Sequence, residues 1–250
     1  VLTPFITTPY ISRVLGPNGI GVYSYTSSIV AYFVLLSSLG LSSYGQREVA
    51  YNQHNRYVCT RLLYEITLLK VIMVSFSLFL YYAIVLRNVE ENYLIFCIQS
   101  INILAVIFDI SWFFQGLEEF GKVVLRNFVV RIVSIMMLFV CIRSIDDLYL
   151  YVLMNSMVTL MGGIFICLYI PKYATKISFK EINPFRNFKI IIELFLPGIA
   201  VQVYTVLDKT MLGMYAYTPA ENGYYEQAEK CVKIITMVIT SLGTVMMPRI

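Results

Sequence analysis

Charge is scarce in this chain. Asp, Glu, Lys and Arg make up 14% of its 250 residues, against 58% for hydrophobic ones. A soluble globular domain carries about 25% charged and about 45–50% apolar residues. A water-soluble fold is therefore excluded, because that much apolar surface has to be covered by lipid. Histidine is scarcer still. His54 stands alone, which excludes a Ser–His–Asp arrangement and any multi-histidine metal site. The five cysteines, Cys59, Cys97, Cys141, Cys167 and Cys231, include no CxxC pair, so zinc and thioredoxin-like chemistry drop out. Most lie in apolar runs and read as small hydrophobes. There is no D-x-D aspartate cluster to hold a metal–nucleotide sugar. Asp146-Asp147 is a lone pair in a short connection. The glycines of Gly16-Pro17-Asn18-Gly19-Ile20-Gly21 lack the GK[ST] ending of a phosphate loop and read as a tight turn. No basic–aromatic patch suits nucleic acid. The expectation is a protein that is not an enzyme, with no catalytic residue, cofactor, metal or nucleic-acid partner.

What is abundant is the long apolar run. A membrane-crossing helix needs about 20 mostly apolar residues, and about eight segments qualify wholly or in part. They are Val1 to about Tyr10, then roughly Val22–Leu41, Ile66–Leu86, Tyr93–Gln115, Phe128–Ile142, Tyr149–Ile170, Ile190–Met214 and Val232–Ile250. The predicted class is all-α and polytopic. The chain begins without a Met inside one apolar run and stops in another at Met247-Pro248-Arg249-Ile250. The expectation is a piece of a longer protein. The longest connection, Pro171–Lys189, is basic and suggests a boundary. It divides a first transmembrane lobe (residues 1–170, helix 1 truncated) from an inter-lobe loop (171–189) and the start of a second lobe (190–250).

Lys and Arg in short loops mark the cytoplasmic side. Ten follow the second, fourth and sixth spans: Arg47, Arg56, Arg61, Lys122, Arg126, Lys172, Lys176, Lys180, Arg186 and Lys189. The opposite loops hold three, Arg13, Arg87 and Arg143, with several acids. The first set is expected inside, with the N-terminus cytoplasmic. Tyrosines near the span ends, such as Tyr81, Tyr82, Tyr93 and Tyr149, suit the headgroup depth.

Polar residues within spans are costly and therefore candidates for function. In the fourth span Gln99, Asn102 and Asp109 recur at helical spacing. Asp109 reads as an ion-coupling or gating carboxylate, or else as an acid solvated near the cytoplasmic end or paired with a neighbouring helix. In the seventh, Gln202, Thr205 and Lys209 share a face suited to a wet cavity, and Asp208 adds a second ion-coupling candidate. Pro197-Gly198 interrupts that helix and predicts a kink or hinge. The alternative is a tolerated proline with Lys209 snorkelling to an interface. Arg13 and Arg47 flank the second span, where a guanidinium grips phosphate bidentately. Arg47 fits equally well as a positive-inside residue. Lys70 and Arg131 read as anchors near cytoplasmic span ends. Glu226–Lys230 and Glu229–Lys233 read as helix-surface pairs at i, i+4.

Four stretches resemble one family. They are Pro9-Tyr10-Ile11-Ser12-Arg13-Val14-Leu15-Gly16-Pro17-Asn18-Gly19-Ile20-Gly21, Gly45-Gln46-Arg47-Glu48, Trp112-Phe113-Phe114-Gln115-Gly116-Leu117-Glu118, and Leu207-Asp208-Lys209 with Tyr225-Glu226-Gln227-Ala228-Glu229-Lys230. They are similar to bacterial polysaccharide flippases of the multidrug/oligosaccharidyl-lipid/polysaccharide exporter superfamily. The resemblance implies two six-helix lobes around a V-shaped cavity in the bacterial inner membrane. It implies flipping of undecaprenyl-pyrophosphate-linked O-antigen or capsule repeat units by alternating access. Arg13, Arg47, Gln202, Thr205 and Lys209 would contact the lipid-linked oligosaccharide. A polysaccharide polymerase and a chain-length regulator would be further partners besides the lipid bilayer. The competing readings are a cation-coupled multidrug antiporter using Asp109 and Asp208, and a membrane polymerase or glycosyltransferase.

Overall fold

The computed structural model describes residues 3–175, 177–178 and 181–246. Lys176 and Lys180 of the basic loop, Val1 and Leu2 of the first span and Met247–Ile250 of the last lie outside the described residues. Ten α-helices form the described chain: α1 Thr3–Val14, α2 Gly16–Ser38, α3 Leu41–Tyr51, α4 Arg56–Tyr81, α5 Tyr93–Phe108, α6 Ser111–Gly116, α7 Phe120–Cys141, α8 Leu148–Cys167, α9 Phe188–Tyr215 and α10 Pro219–Met246. A π turn, Tyr82–Leu86, extends α4. No strand occurs among the described residues.

Six of these stretches are long and apolar enough to cross a membrane: Gly16–Tyr51, Arg56–Leu86, Tyr93–Gly116, Phe120–Cys141, Ile145–Lys172 and Phe188–Tyr215. They correspond to the second through seventh expected spans. The described part of the first is α1, with 12 residues. The expected eighth begins as a charged helix, since Glu221, Glu226, Glu229, Lys230 and Lys233 all lie on α10. Large apolar side chains point outward, as a lipid-covered surface requires. On α7, Val124 is 64%, Met136 63% and Val140 64% exposed.

Three apolar clusters hold the helices together. The first joins α3, α4 and α6 around Leu41, Tyr44, Leu69, Trp112 and Phe114, and takes in Ile191 and Phe195 of α9. The second packs Ile11 of α1 and Ile20 of α2 against Leu138 of α7 and Met154 of α8. The third packs Val30 of α2 against Val74 and Tyr81 of α4 and Phe96 and Ile103 of α5. Tyr81 also donates its hydroxyl to the Phe96 carbonyl at 2.8 Å.

One break falls at the end of the expected second span and another inside the fourth. Leu39 (φ 42°) and Gly40 (φ 65°) are both left-handed and separate α2 from α3. Gly40 suits the turn because it has no Cβ to strain, and a Cβ there would press on the Phe195 backbone at 3.3 Å. The second break divides α5 from α6 at Asp109-Ile110, with Asp109 extended at φ −78°, ψ 91°.

The connection after α8 is a strap laid across the ends of α3, α4, α6 and α7. Glu65, nearly buried, accepts the Asn183 backbone N–H at 3.1 Å and lies 3.6 Å from Arg186 and 3.8 Å from Arg61. Asn187 donates to the Tyr44 hydroxyl at 2.5 Å, and Thr175 N–H to the Thr60 hydroxyl at 3.2 Å. Tyr57 donates to Glu181. Lys122 donates to the Tyr173 hydroxyl, which in turn donates to Glu119 at 2.8 Å. Those contacts, the Tyr173 hydroxyl first and Lys122 second, hold the Glu119 carboxyl below its ordinary range.

Candidate functional site

Two open chambers that share a wall lie between the helices. The larger, about 790 Å³, lies among α1, α2, α5, α7 and α8. Its polar lining includes Tyr23, Asn102, Asn127, Arg131, Tyr151 and Asn155. The smaller, about 360 Å³, lies among α2, α5 and α9, lined by Tyr23, Ser27, Gln99, Asn102 and Gln202 with an aliphatic side of Val30, Ala31, Val34 and Leu35. Tyr23 and Asn102 border both. Tyr23 meets Tyr151 edge-on with ring centroids 5.1 Å apart, and Asn102 donates to the Ser156 hydroxyl at 3.0 Å.

Arg131 is the charged residue of the larger chamber. It sits near the middle of α7 and forms no hydrogen bond or ion pair with the described residues. Its side chain is exposed, and a guanidinium without a protein partner beside polar groups is a candidate contact for an anion. Helix α7 begins at Phe120, not near Phe128, so Arg131 lies near the middle of the helix rather than at its start. The basic start of the helix continues the spiral without being apolar, which moves Arg131 from the end to the interior.

Lys70 corrects in the same way. Helix α4 begins at Arg56 rather than Ile66, so Lys70 lies well inside it, 1% exposed. Its ammonium donates to the Asp109 carbonyl at 2.7 Å, lies 3.5 Å from the Ser42 hydroxyl, and sits 5.9 Å from the centre of the Trp112 ring. The break between α5 and α6 frees that carbonyl from helical bonding, and the buried amine satisfies it. Asp109 itself accepts from the Ser111 N–H at 3.3 Å and the Ser111 hydroxyl at 2.6 Å. Arg126 reaches the same hydroxyl at 3.1 Å.

The other candidates scatter. Arg13, at the end of α1, and Arg47, on α3 and 3.6 Å from Glu48, are both exposed and border neither chamber. Gln202 lines the smaller chamber, whereas Thr205 is exposed and donates to the Gln202 carbonyl at 2.9 Å. Helix α9 runs on through Pro197 and Gly198. Asp208 accepts from the Tyr225 hydroxyl at 2.7 Å. Lys209 lies 2.5 Å from Glu226 and 2.7 Å from Glu229 on α10. The Glu226–Lys230 and Glu229–Lys233 pairs are present at 3.2 and 2.6 Å. The expectation of simple surface pairs missed the shared partner Lys209, because spacing within one helix says nothing about a second.

This ion cluster lies at the crossing of α2 with α9 and α10. Ser24 of α2 donates to Glu226 at 3.0 Å and approaches Asn222 at 3.3 Å, while Thr210 of α9 donates to Ser28 at 2.9 Å. Gly21 and Gly223 meet where the backbones touch. A Cβ on Gly21 would collide with the Pro219 carbonyl, and one on Gly223 with the Pro17 carbonyl.

Fold and cavity together define a multi-pass helical membrane protein with a polar interior. The chain belongs to the polysaccharide biosynthesis protein family, whose model matches residues 1–250. It is similar to a "Putative O-antigen transporter" of Shigella dysenteriae, at 25% identity over 100% of this chain and 63% of that protein. A protein of the same name from Escherichia coli strain K12 is 20% identical over 100% of this chain and 61% of its own length. The chain thus spans about three fifths of the length of these curated relatives. Both carry the names of transporters rather than enzymes. No solved structure matches the chain.

Proposed function

We propose that this chain forms part of a flippase that moves an undecaprenyl-pyrophosphate-linked oligosaccharide from the cytoplasmic to the outer leaflet of the bacterial inner membrane. The observation that carries this reading is Arg131, an exposed cation without a partner among the described residues, near the middle of α7 on the wall of a polar chamber. A pyrophosphate-linked sugar is anionic and strongly hydrated, so hydrocarbon opposes its passage. A guanidinium binds phosphate oxygens through paired N–H donors, and the surrounding amides and hydroxyls replace water. No covalent step is required. Movement is by rocking of two lobes, 1–170 and 190 onward, about the 171–189 loop, with the N-terminus cytoplasmic. The charge bias of the loops supports that orientation.

The experiment is sidedness of lipid-linked oligosaccharide in vesicles containing the full-length protein. Wild-type protein exposes the sugar on the opposite face, and Arg131→Ala slows this at least about tenfold, the equivalent of one charge-assisted hydrogen bond. Arg143→Ala, an exposed change in the connection before α8, leaves the rate within about twofold. Sidedness unchanged by wild-type protein overturns the substrate class.

A further inference from the structure

The two chambers differ in chemistry. Arg131 gives the larger one a positive charge, whereas the smaller carries amides and hydroxyls with no Asp, Glu, Lys, Arg or His on its wall. Three amides converge on the smaller chamber with acceptor capacity to spare. Gln99 is 1% exposed and donates Nε2 to the Thr26 hydroxyl at 2.7 Å. That hydroxyl spends its own hydrogen on the Val22 carbonyl at 2.8 Å. It can therefore only accept from Gln99, which fixes the orientation of the amide. Gln99 Oε1 is then a buried acceptor with no partner. Such a group costs about 1–3 kcal/mol when left unmade. Asn102 uses its donor on Ser156, leaving Oδ1 without a hydrogen bond among the described residues. The Gln202 side-chain amide, from α9, makes no hydrogen bond with the described residues.

We infer that the smaller chamber is a subsite for an uncharged, hydroxyl-bearing ring, a neutral sugar residue of the substrate, held by Gln202 and Asn102 with Gln99 behind them. Unpaired acceptors call for a ligand that donates, and a ring hydroxyl does so. A phosphate, which only accepts when ionised, could take the free N–H groups of Gln202 but would leave the fixed Gln99 oxygen unpaired. The aliphatic side formed by Val30, Ala31, Val34 and Leu35 offers the C–H face of a ring a dry contact. Tyr23, between the chambers, would lie beside the junction of sugar and phosphate. This rests on the flippase reading and deepens it by dividing the substrate between two chambers.

The test measures binding to the full-length protein in nanodiscs of two probes: undecaprenyl pyrophosphate, and the same lipid bearing one uncharged hexose. In wild type the hexose tightens binding several-fold. Gln202→Leu, which breaks no hydrogen bond of the fold, removes that gain and leaves the sugar-free lipid unchanged. Gln202→Asn restores part of it. Gln99→Met loses the gain, while Thr26→Val, which breaks the same Gln99–Thr26 bond but keeps the acceptor, retains it. A pairing of that kind separates recognition from folding damage. Arg131→Ala weakens both probes equally. If the hexose adds nothing in wild type, or Gln202→Leu keeps the full gain, the subsite is refuted while the flippase reading survives. If neither probe binds wild-type protein, both fall.

Discussion

At the scale of single residues, the ionised side chains in the helices divide into spent and unspent ones. Lys209 is spent, since two carboxylates hold its ammonium. Lys209→Ala leaves Glu226 and Glu229 short of a counter-charge in a mostly buried setting. Breaking one side of such a pair costs about 3 kcal/mol, reduced in this case by Lys230 and Lys233. The expected result is a lower thermal unfolding midpoint, partly recovered by adding Glu226→Gln. A double-mutant cycle showing no coupling would dismiss the cluster. Arg131 is unspent, and so its loss should affect transport and leave folding intact. Sequence distinguished these two poorly. Both are cations in apolar stretches of sequence, and only the partner helix, α10 for Lys209 and none among the described residues for Arg131, separates them.

At the scale of elements, hydropathy revealed where the spans lie but not where the helices begin. A helix is built from backbone hydrogen bonds, which continue past the edge of the apolar run. Thus α4 starts at Arg56 and α7 at Phe120, and Lys70 and Arg131 move from apparent ends to interiors. The break inside the fourth span was equally hidden. Pro197-Gly198 signals an interruption, yet α9 continues, whereas Asp109-Ile110 carries no proline or glycine and does break. The second break is sustained by tertiary contacts, Lys70 on the freed carbonyl and Ser111 on the carboxylate, which no local propensity encodes. The crossing of α2 and α10 offers a direct check. Gly223→Ala puts a methyl into the Pro17 carbonyl. Overpacking of this kind costs about 1–3 kcal/mol, so a falling midpoint is expected, with a cysteine pair across the crossing losing its crosslink. An unchanged midpoint and crosslink would show that the helices do not touch there.

At the scale of the whole molecule, the loop that the sequence marks as a boundary is bound to the helices before it. Glu65, Tyr44, Thr60 and Glu119 all receive contacts from 173–187. Glu119 titrates below its ordinary value of 4.5 in the folded protein. Its contribution to the strap is therefore full above that value and is lost as pH falls through the lowered one. Tyr173→Phe should raise the Glu119 titration midpoint toward the ordinary value, as followed by carboxyl NMR. No movement would mean that the hydroxyl does not hold the carboxylate. The architecture, all-helical and polytopic, was plain from composition. The chambers were not, because Tyr23, Asn155 and Arg131 come from separate helices, and a sequence lists them without saying which faces meet.

The ion cluster joins α9 to α10, and α2 carries no Asp, Glu, Lys, Arg or His. Among the described residues, α2 meets these two helices through hydroxyls, the Tyr25 ring and bare backbone, and the one charged group it touches, the Glu226 carboxylate, accepts from the neutral Ser24 hydroxyl. Sliding α2 away would therefore separate no pair of opposite charges in a medium of low permittivity. The activation barrier for such a displacement would be set by contact area rather than Coulomb work, and its rate would be nearly indifferent to ionic strength.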